Sequence, residues 1–226
     1  MLRRVHDLGD HGRVVVRFTD SADGDFSTSS PGVEWRRVAL DDRPWSWLDE
    51  VHGTDAVVVD APGHQAGAIA DAAVTDRPGV VLAVQMADCA PLAMWSSNGV
   101  VAAVHVGWRG LVGGVIESSL DAMSSLGAGD VRAEIGPCLR SARYEFGADD
   151  LAAAVARFGS DVIVSTTDQG APAIDVPAGI RHALSSAGVD DVDDWGICTA
   201  STPMFWSWRW DRVRERHSLV VVRELP

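Results

Sequence analysis

The stretch Asp88-Cys-Ala-Pro-Leu-Ala-Met-Trp-Ser-Ser-Asn-Gly-Val-Val-Ala-Ala-Val-His-Val106 decides the reading of this chain. Two apolar runs, Pro91 to Trp95 and Val100 to Val106, flank Ser96-Ser97-Asn98-Gly99, a turn sequence suited to an antiparallel hairpin. Neither run alternates with polar residues, so both faces are expected to be buried. If Trp95 pairs with Val100, Ala90 falls opposite His105, and a single bulge or slip puts Cys89 there instead. Directly opposed Cβ atoms lie roughly 4.5 to 5.5 Å apart, which lets a thiol and an imidazole share one metal ion.

His105 interrupts a buried strand, where an imidazole without a partner costs a few kcal/mol, about the desolvation cost of any buried polar group. On its own it could be a core histidine bonded to a backbone carbonyl, and Cys89 on its own an inert buried thiol. Their proximity through the hairpin favours a metal site. A catalytic site needs a third protein ligand and an open position. His52 is the candidate, because it stands in the turn Glu50-Val51-His52-Gly53 just before an apolar run, Ala56 to Val59. His6, His11, His64, His182 and His217 lie in polar or helical surroundings and read as solvated. A His/His/Cys set suits zinc.

Working outward, further strands are expected at Val14 to Phe18, Val80 to Gln85, Ile163 to Ser165 and Leu219 to Val222. Helices are expected at Gly113 to Leu126, Ala148 to Phe158 and Pro177 to Ala187, the first and last followed by Gly127 and Gly188. The mixture predicts one layered α/β (α+β) domain over residues 1–226, with mixed sheets and no linker. Thr19 to Gly32 reads as a surface loop.

The 46% hydrophobic fraction of the 226 residues can fill such a core. A net charge of -13 repels nucleic acid polymers and anionic membranes, although converging arginines could still bind a small anion. All basic side chains except histidine are arginine, which excludes lysine Schiff-base chemistry. Three widely spaced cysteines do not make a disulfide framework, and the amino terminus lacks the apolar segment of a secretory signal. A cytoplasmic monomer is the expectation.

Further candidates surround the hairpin. Gly107-Trp108-Arg109-Gly110 joins the His105 strand to a helix and could hold phosphate through Arg109; the alternative is a plain turn with Arg109 in a surface ion pair. Trp206, Trp208 and Trp210 alternate with Phe205, Ser207 and Arg209, so a strand would set the tryptophans on one face and Arg209 on the other. Asp88 could shuttle protons or orient a ligand histidine. Tyr144 and Glu145 are expected to start or cap the helix after Gly147, with pocket lining as the alternative, and Cys138 and Cys198 to be structural.

The strings VHGTDAVVV, ADAAVTDRPG, ADCAPL, AAVHVGWRGL, EIGPC with YEFG, and CTASTPMFWSWRWD together resemble the YfiH-like family, also called laccase-domain or polyphenol-oxidase-like proteins. The resemblance runs from about Arg17 to Val222. It implies a four-layer α/β/β/α fold and one metal on His52, Cys89 and His105. Arg17 and Arg209 lie within its motifs and become secondary anion-contact candidates. The chain departs from the pattern at Glu50, where glutamine is usual, at Trp35-Arg36, where an Asn-Arg pair is usual, and at Trp210, where a second arginine follows the first.

The resemblance also implies an activity. Expected is a zinc-dependent purine nucleoside phosphorylase or adenosine deaminase acting on adenosine, inosine or methylthioadenosine, with nucleoside and phosphate as its partners. One alternative is an amidohydrolase editing peptidoglycan precursors, with Cys89 as nucleophile. Another is a copper-dependent, laccase-like polyphenol oxidase, ranked low because seven histidines without a His-x-His pair are a poor supply for several linked copper sites.

Overall fold

A computed structural model describes residues Met1 to Pro226 and resolves the apolar runs into two six-stranded sheets. In the first, the order is β1 (Leu2–Asp7), β2 (Arg13–Phe18), β14 (His217–Glu224), β7 (Val81–Met86), β3 (Trp45–Asp49) and β5 (Ala68–Ile69). In the second, it is β13 (Val192–Asp194), β10 (Val131–Ile135), β8 (Ala90–Ser96), β9 (Val101–Val106), β6 (Ala72–Thr75) and β4 (Ala56–Val58). A separate small hairpin joins β11 (Val164–Thr166) to β12 (Pro172–Ile174). Both sheets are mixed: β3 runs parallel to β7, β4 to β6 and β10 to β13, and the central pairs are antiparallel.

Every residue of β7, β8 and β9 is buried, because successive side chains serve different cores. Ala93, Trp95, Val101 and Ala103 meet Val14, Leu82, Val84 and Val221 between the two sheets. Leu92, Met94, Ala102 and Val104 face the other way. They pack with Ile116 and Met123 of α3 (Val115–Ser125) and Ile180 and Leu184 of α6 (Val176–Ser186). On the outer side of the first sheet, Phe26, Trp45 and Val222 form a small core with Leu40 of α1 (Val33–Leu40). Helices thus flank a pair of sheets, in accord with the expected α/β/β/α layering.

The remaining helices are α2 (Trp108–Gly113), α4 (Ala148–Phe158), α5 (Ser160–Ile163) and α7 (Trp208–Asp211). Residues 148–158 are helical as expected, and α6 starts where the Asp175 side chain accepts the Ala178 N–H at 3.0 Å. The helix expected over Gly113 to Leu126 is α3, and Gly114, with a left-handed φ of 104°, separates it from the short α2 that precedes it. No helix is long and apolar enough to cross a membrane.

The hairpin differs from its expected register by one residue. Trp95 pairs with Val101, so Pro91 rather than Ala90 or Cys89 lies opposite His105. The cause is the loop: Gly99 adopts a left-handed φ of 94°, and the Ser96 N–H reaches the Val100 carbonyl at 2.8 Å, leaving a loop of residues 97–99. Cys89 keeps the same face as His105, one diagonal step along, within reach of its side chain.

Topology then fixes the place of the site. β3 and β7 are parallel neighbours, so their carboxyl ends lie side by side, and from both ends the chain crosses to the second sheet. These crossings carry Glu50 to Gly53 and Ala87 to Cys89. Strand β8 starts there, and its antiparallel partner β9 ends there with His105.

Candidate metal centre

His52, Cys89 and His105 converge at this junction, with one ligand atom from each lying within 4.8 Å of the others. The Cys89 Sγ is 3.6 Å from His52 Nε2, and the two imidazoles meet edge to face at 4.9 Å between centroids. Two nitrogen donors and one thiolate sulfur match the donor types of catalytic zinc sites that keep a fourth position open. The three residues could hold a metal ion.

One carboxylate arranges this geometry. Asp71, fully buried, lies opposite His105 across the β6–β9 edge, where the His105 N–H donates to its carbonyl at 2.7 Å. Its Oδ1 takes His105 Nδ1 at 2.8 Å and the His52 N–H at 2.9 Å, and its Oδ2 takes the Gly53 N–H at 2.6 Å. The imidazole is thereby left with Nε2 for the cavity, and the His52 turn is pinned although its φ is 60°. Burial would raise the carboxyl pKa of Asp71, but the His105 contact and these backbone N–H donors outweigh it and hold the group below its ordinary value.

Cys89 and His105 titrate as a pair. Burial disfavours charge on both, yet imidazolium and thiolate stabilise each other, so the thiol is held low and the ring, further supported by Asp71, is held high. Such a thiolate is ready to bind a metal. Beside them stands Glu50, whose Oε1 accepts the Gln85 N–H at 2.7 Å and whose burial pushes its pKa up to about 7.

The triplet opens into a cavity of about 470 Å³ lined also by Trp108, Tyr144, Trp208 and four arginines, Arg109, Arg209, Arg212 and Arg216. Of the expected anion contacts, Arg109 and Arg209 are therefore at the cavity. Arg17 is not: from β2 it donates to Asp41, just past α1, at 3.1 Å, its charge already matched. Asp88 lines the cavity but does not orient a ligand histidine, a task that falls to Asp71. With φ at 91°, it accepts from Thr199 Oγ1 at 2.7 Å and from the Arg209 N–H at 2.6 Å, tying the Arg209 segment to the Cys89 turn.

Other expectations change in detail. Trp206 to Trp210 do not form a strand; Ser207 caps α7 by accepting the Trp210 N–H at 3.1 Å. The tryptophans part company accordingly: Trp206 stacks on His217, Trp208 lines the cavity beside Arg209, and Trp210 lies under Arg143. Tyr144 does not cap α4, whose N-cap is Gly147 with no side-chain cap; it is buried against the cavity. The Thr19 to Gly32 segment, read as a surface loop, supplies Ser27 and Thr28 to the cavity wall. Asp71 could have been found in the sequence as an acid placed directly against the apolar run Ala72 to Val74 with no turn residue between.

The family described as multi-copper polyphenol oxidoreductase laccase matches residues 34–223. A protein of Streptomyces coelicolor named purine nucleoside phosphorylase is 36% identical over 200 residues, covering 87% of this chain and 79% of its own. One of Mycobacterium bovis with the same name is 37% identical over 184 residues, covering 79% and 72%. Among solved structures, a Neisseria meningitidis protein superposes with a TM-score of 0.83 at 24% identity over 98% of this chain and 99% of its own. Bacillus licheniformis YfiH, a hypothetical protein, gives 0.82 at 19% identity over 97% and 99%. These two likenesses concern the fold.

Proposed function

This chain belongs to the multi-copper polyphenol oxidoreductase laccase family, and we propose that it is a metal-dependent purine nucleoside phosphorylase. The observation that carries this reading is a juxtaposition: His52, Cys89 and His105 share one cavity with Arg109, Arg209 and the rings of Trp108, Tyr144 and Trp208. Relatives named purine nucleoside phosphorylase at 36% and 37% identity point to the same reaction.

Phosphorolysis asks for an anion held beside the glycosidic carbon and a wall for the base. Arg109 and Arg209 supply fixed cations for inorganic phosphate, and the aromatic side chains an apolar face for the purine. A phosphate oxygen forms a bond to C1′ as the C1′–N9 bond breaks, and the base leaves with the electron pair and takes up a proton. Positioning the two partners is the main contribution of these side chains. The donor set of two imidazoles and one thiolate favours zinc, which when bound supplies Lewis acidity to polarise a substrate atom. The single His-Cys-His cluster supports zinc over a set of linked coppers.

Purified, metal-loaded protein given inosine or adenosine with phosphate is expected to release the base and ribose 1-phosphate, only when phosphate is present. No base release at any metal loading contradicts the reading. Deamination of adenosine is a second reading, favoured by Glu50, a carboxyl group beside the triplet in the position of a general acid or base. Formation of inosine and ammonia without phosphate distinguishes it.

A further inference from the structure

Arginines elsewhere in this acidic chain mostly hold a carboxylate: Arg17 and Arg43 share Asp41, Arg140 and Arg181 share Asp194, and Arg13 takes Glu224. None of the four cavity arginines forms such a pair, although acids outnumber arginines 32 to 19 in the sequence. A solvated arginine needs no partner, but these four converge on one concave space. The cavity has two carboxyl groups of its own. Both oxygens of the Asp88 carboxylate are already bonded, to Thr199 and to the Arg209 backbone, and Glu50 lies on the metal side. One inorganic phosphate brings a charge of about −1.5 to −2 at neutral pH. That leaves cationic capacity over.

The four divide between two walls. Arg109 follows closely on the His105 strand and Arg209 is tied through its N–H to Asp88, next to Cys89, so both belong to the metal side. Arg216 belongs to another wall. Asp25 Oδ1 accepts the Arg216 N–H at 2.9 Å and the Ser27 N–H at 2.8 Å, while the Phe26 N–H donates to the Arg216 carbonyl at 2.9 Å. Gln85 holds the next residue, taking the Thr28 N–H at 3.0 Å. These bonds fix the backbone of Ser27 and Thr28 in the wall of the cavity that Arg212 and Arg216 also line. Ser27 Oγ lies 3.1 Å from Ser29 Oγ, and Arg216 Nη1 donates to the Arg214 and Glu215 carbonyls at 3.0 Å each, which leaves the other guanidinium nitrogens of Arg216 for a ligand. Two hydroxyl donors with guanidinium forks are the groups that grip a phosphoryl group.

We infer that Ser27, Thr28, Arg212 and Arg216 form a second anion subsite, which takes a phosphate carried by the substrate, so that the preferred substrate is a phosphorylated purine nucleoside. The inference rests on the phosphorylase reading for the rest of the site. With a nucleoside 5′-phosphate the balance is unchanged: inorganic phosphate bonds to C1′ as the C1′–N9 bond breaks, giving free base and ribose 1,5-bisphosphate.

The test is calorimetric binding of AMP and of adenosine to the metal-loaded protein, at low and at high inorganic phosphate, with product analysis alongside. AMP is expected to bind roughly tenfold or more tightly than adenosine, about 1.4 kcal/mol. Arg216→Ala and Arg212→Gly should each cut that ratio several-fold, with thermal melting as the check on folding; Arg216→Lys, keeping the charge without the fork, should restore part of it. Equal affinity for the two ligands, or a ratio untouched by both variants, overturns the inference. If high inorganic phosphate abolishes the AMP advantage, the subsite takes free phosphate and the substrate claim is overturned. Cleavage of adenosine with no AMP advantage leaves the phosphorylase reading standing and the subsite refuted. An Arg216-dependent AMP preference with no base release does the reverse.

Discussion

The Asp71 carboxylate lies 2.8 Å from the Nδ1 of His105 and at the same time binds the turn that carries His52. Two of the three candidate metal ligands are therefore positioned by a single acidic side chain from a neighbouring strand. Asp71→Asn keeps the size but turns one oxygen into a donor facing N–H groups. Metal affinity, measured by chelator competition, is expected to fall roughly 10- to 100-fold. Unchanged affinity would show that the ligands hold their places without it.

Gly107 packs against the site so closely that an added Cβ would lie 2.5 Å from His52 Cδ2 and 3.5 Å from Cys89 Sγ. Gly107→Ala should push the His52 ring aside, weakening metal binding and costing about 1–3 kcal/mol of stability. Metal titration and urea unfolding on the same preparation would check both effects.

The metal site was legible in the sequence to the extent that burial makes chemistry visible. His105 in an otherwise apolar strand demanded a partner, and the hairpin offered Cys89. The register came out one residue off because the conformation of Gly99 sets the loop length, and residue type alone left a loop of three or four open. Ser27 and Arg216 were not legible as site residues, since their roles depend on pairings between segments far apart in the chain, and Asp71 showed only as an acid set against an apolar run, its partners His105 and His52 being brought to it by the fold. The same holds for α1, which buries only Val33 and Arg37 and leaves Trp35 and Val38 exposed, so its apolar pattern carries little signal.

Stability should be acid-sensitive through His217. Its ring is buried, its Nε2 accepts the Trp206 N–H at 2.6 Å, and burial pushes its pKa down to about 4, against partial support from Asp20 and Asp25. The unfolded chain takes up this proton near pH 6.5, the folded protein only near pH 4. Between those values the unfolded state binds more protons, so stability is intact above about pH 6.5 and declines as pH falls toward 4. The loss from this group is on the order of 3 kcal/mol. Denaturant unfolding at several pH values should show the decline, and His217→Gln should flatten it; an equal decline in the variant assigns it to other groups.

If Arg109 holds inorganic phosphate, Arg109→Ala should raise the KM for phosphate roughly tenfold, a loss of about 1.4 kcal/mol. The KM for nucleoside should move far less. Initial rates over a matrix of both concentrations would separate the two, and a phosphate KM at the wild-type value would remove Arg109 from the phosphate site.

X-ray absorption spectroscopy of the zinc-loaded protein tests the triplet His52, Cys89 and His105 most directly. One sulfur scatterer at about 2.3 Å with nitrogen or oxygen scatterers at about 2.0–2.1 Å is expected, with loss of the sulfur shell in Cys89→Ser. A metal shell without sulfur, or one unchanged in Cys89→Ser, would contradict the triplet.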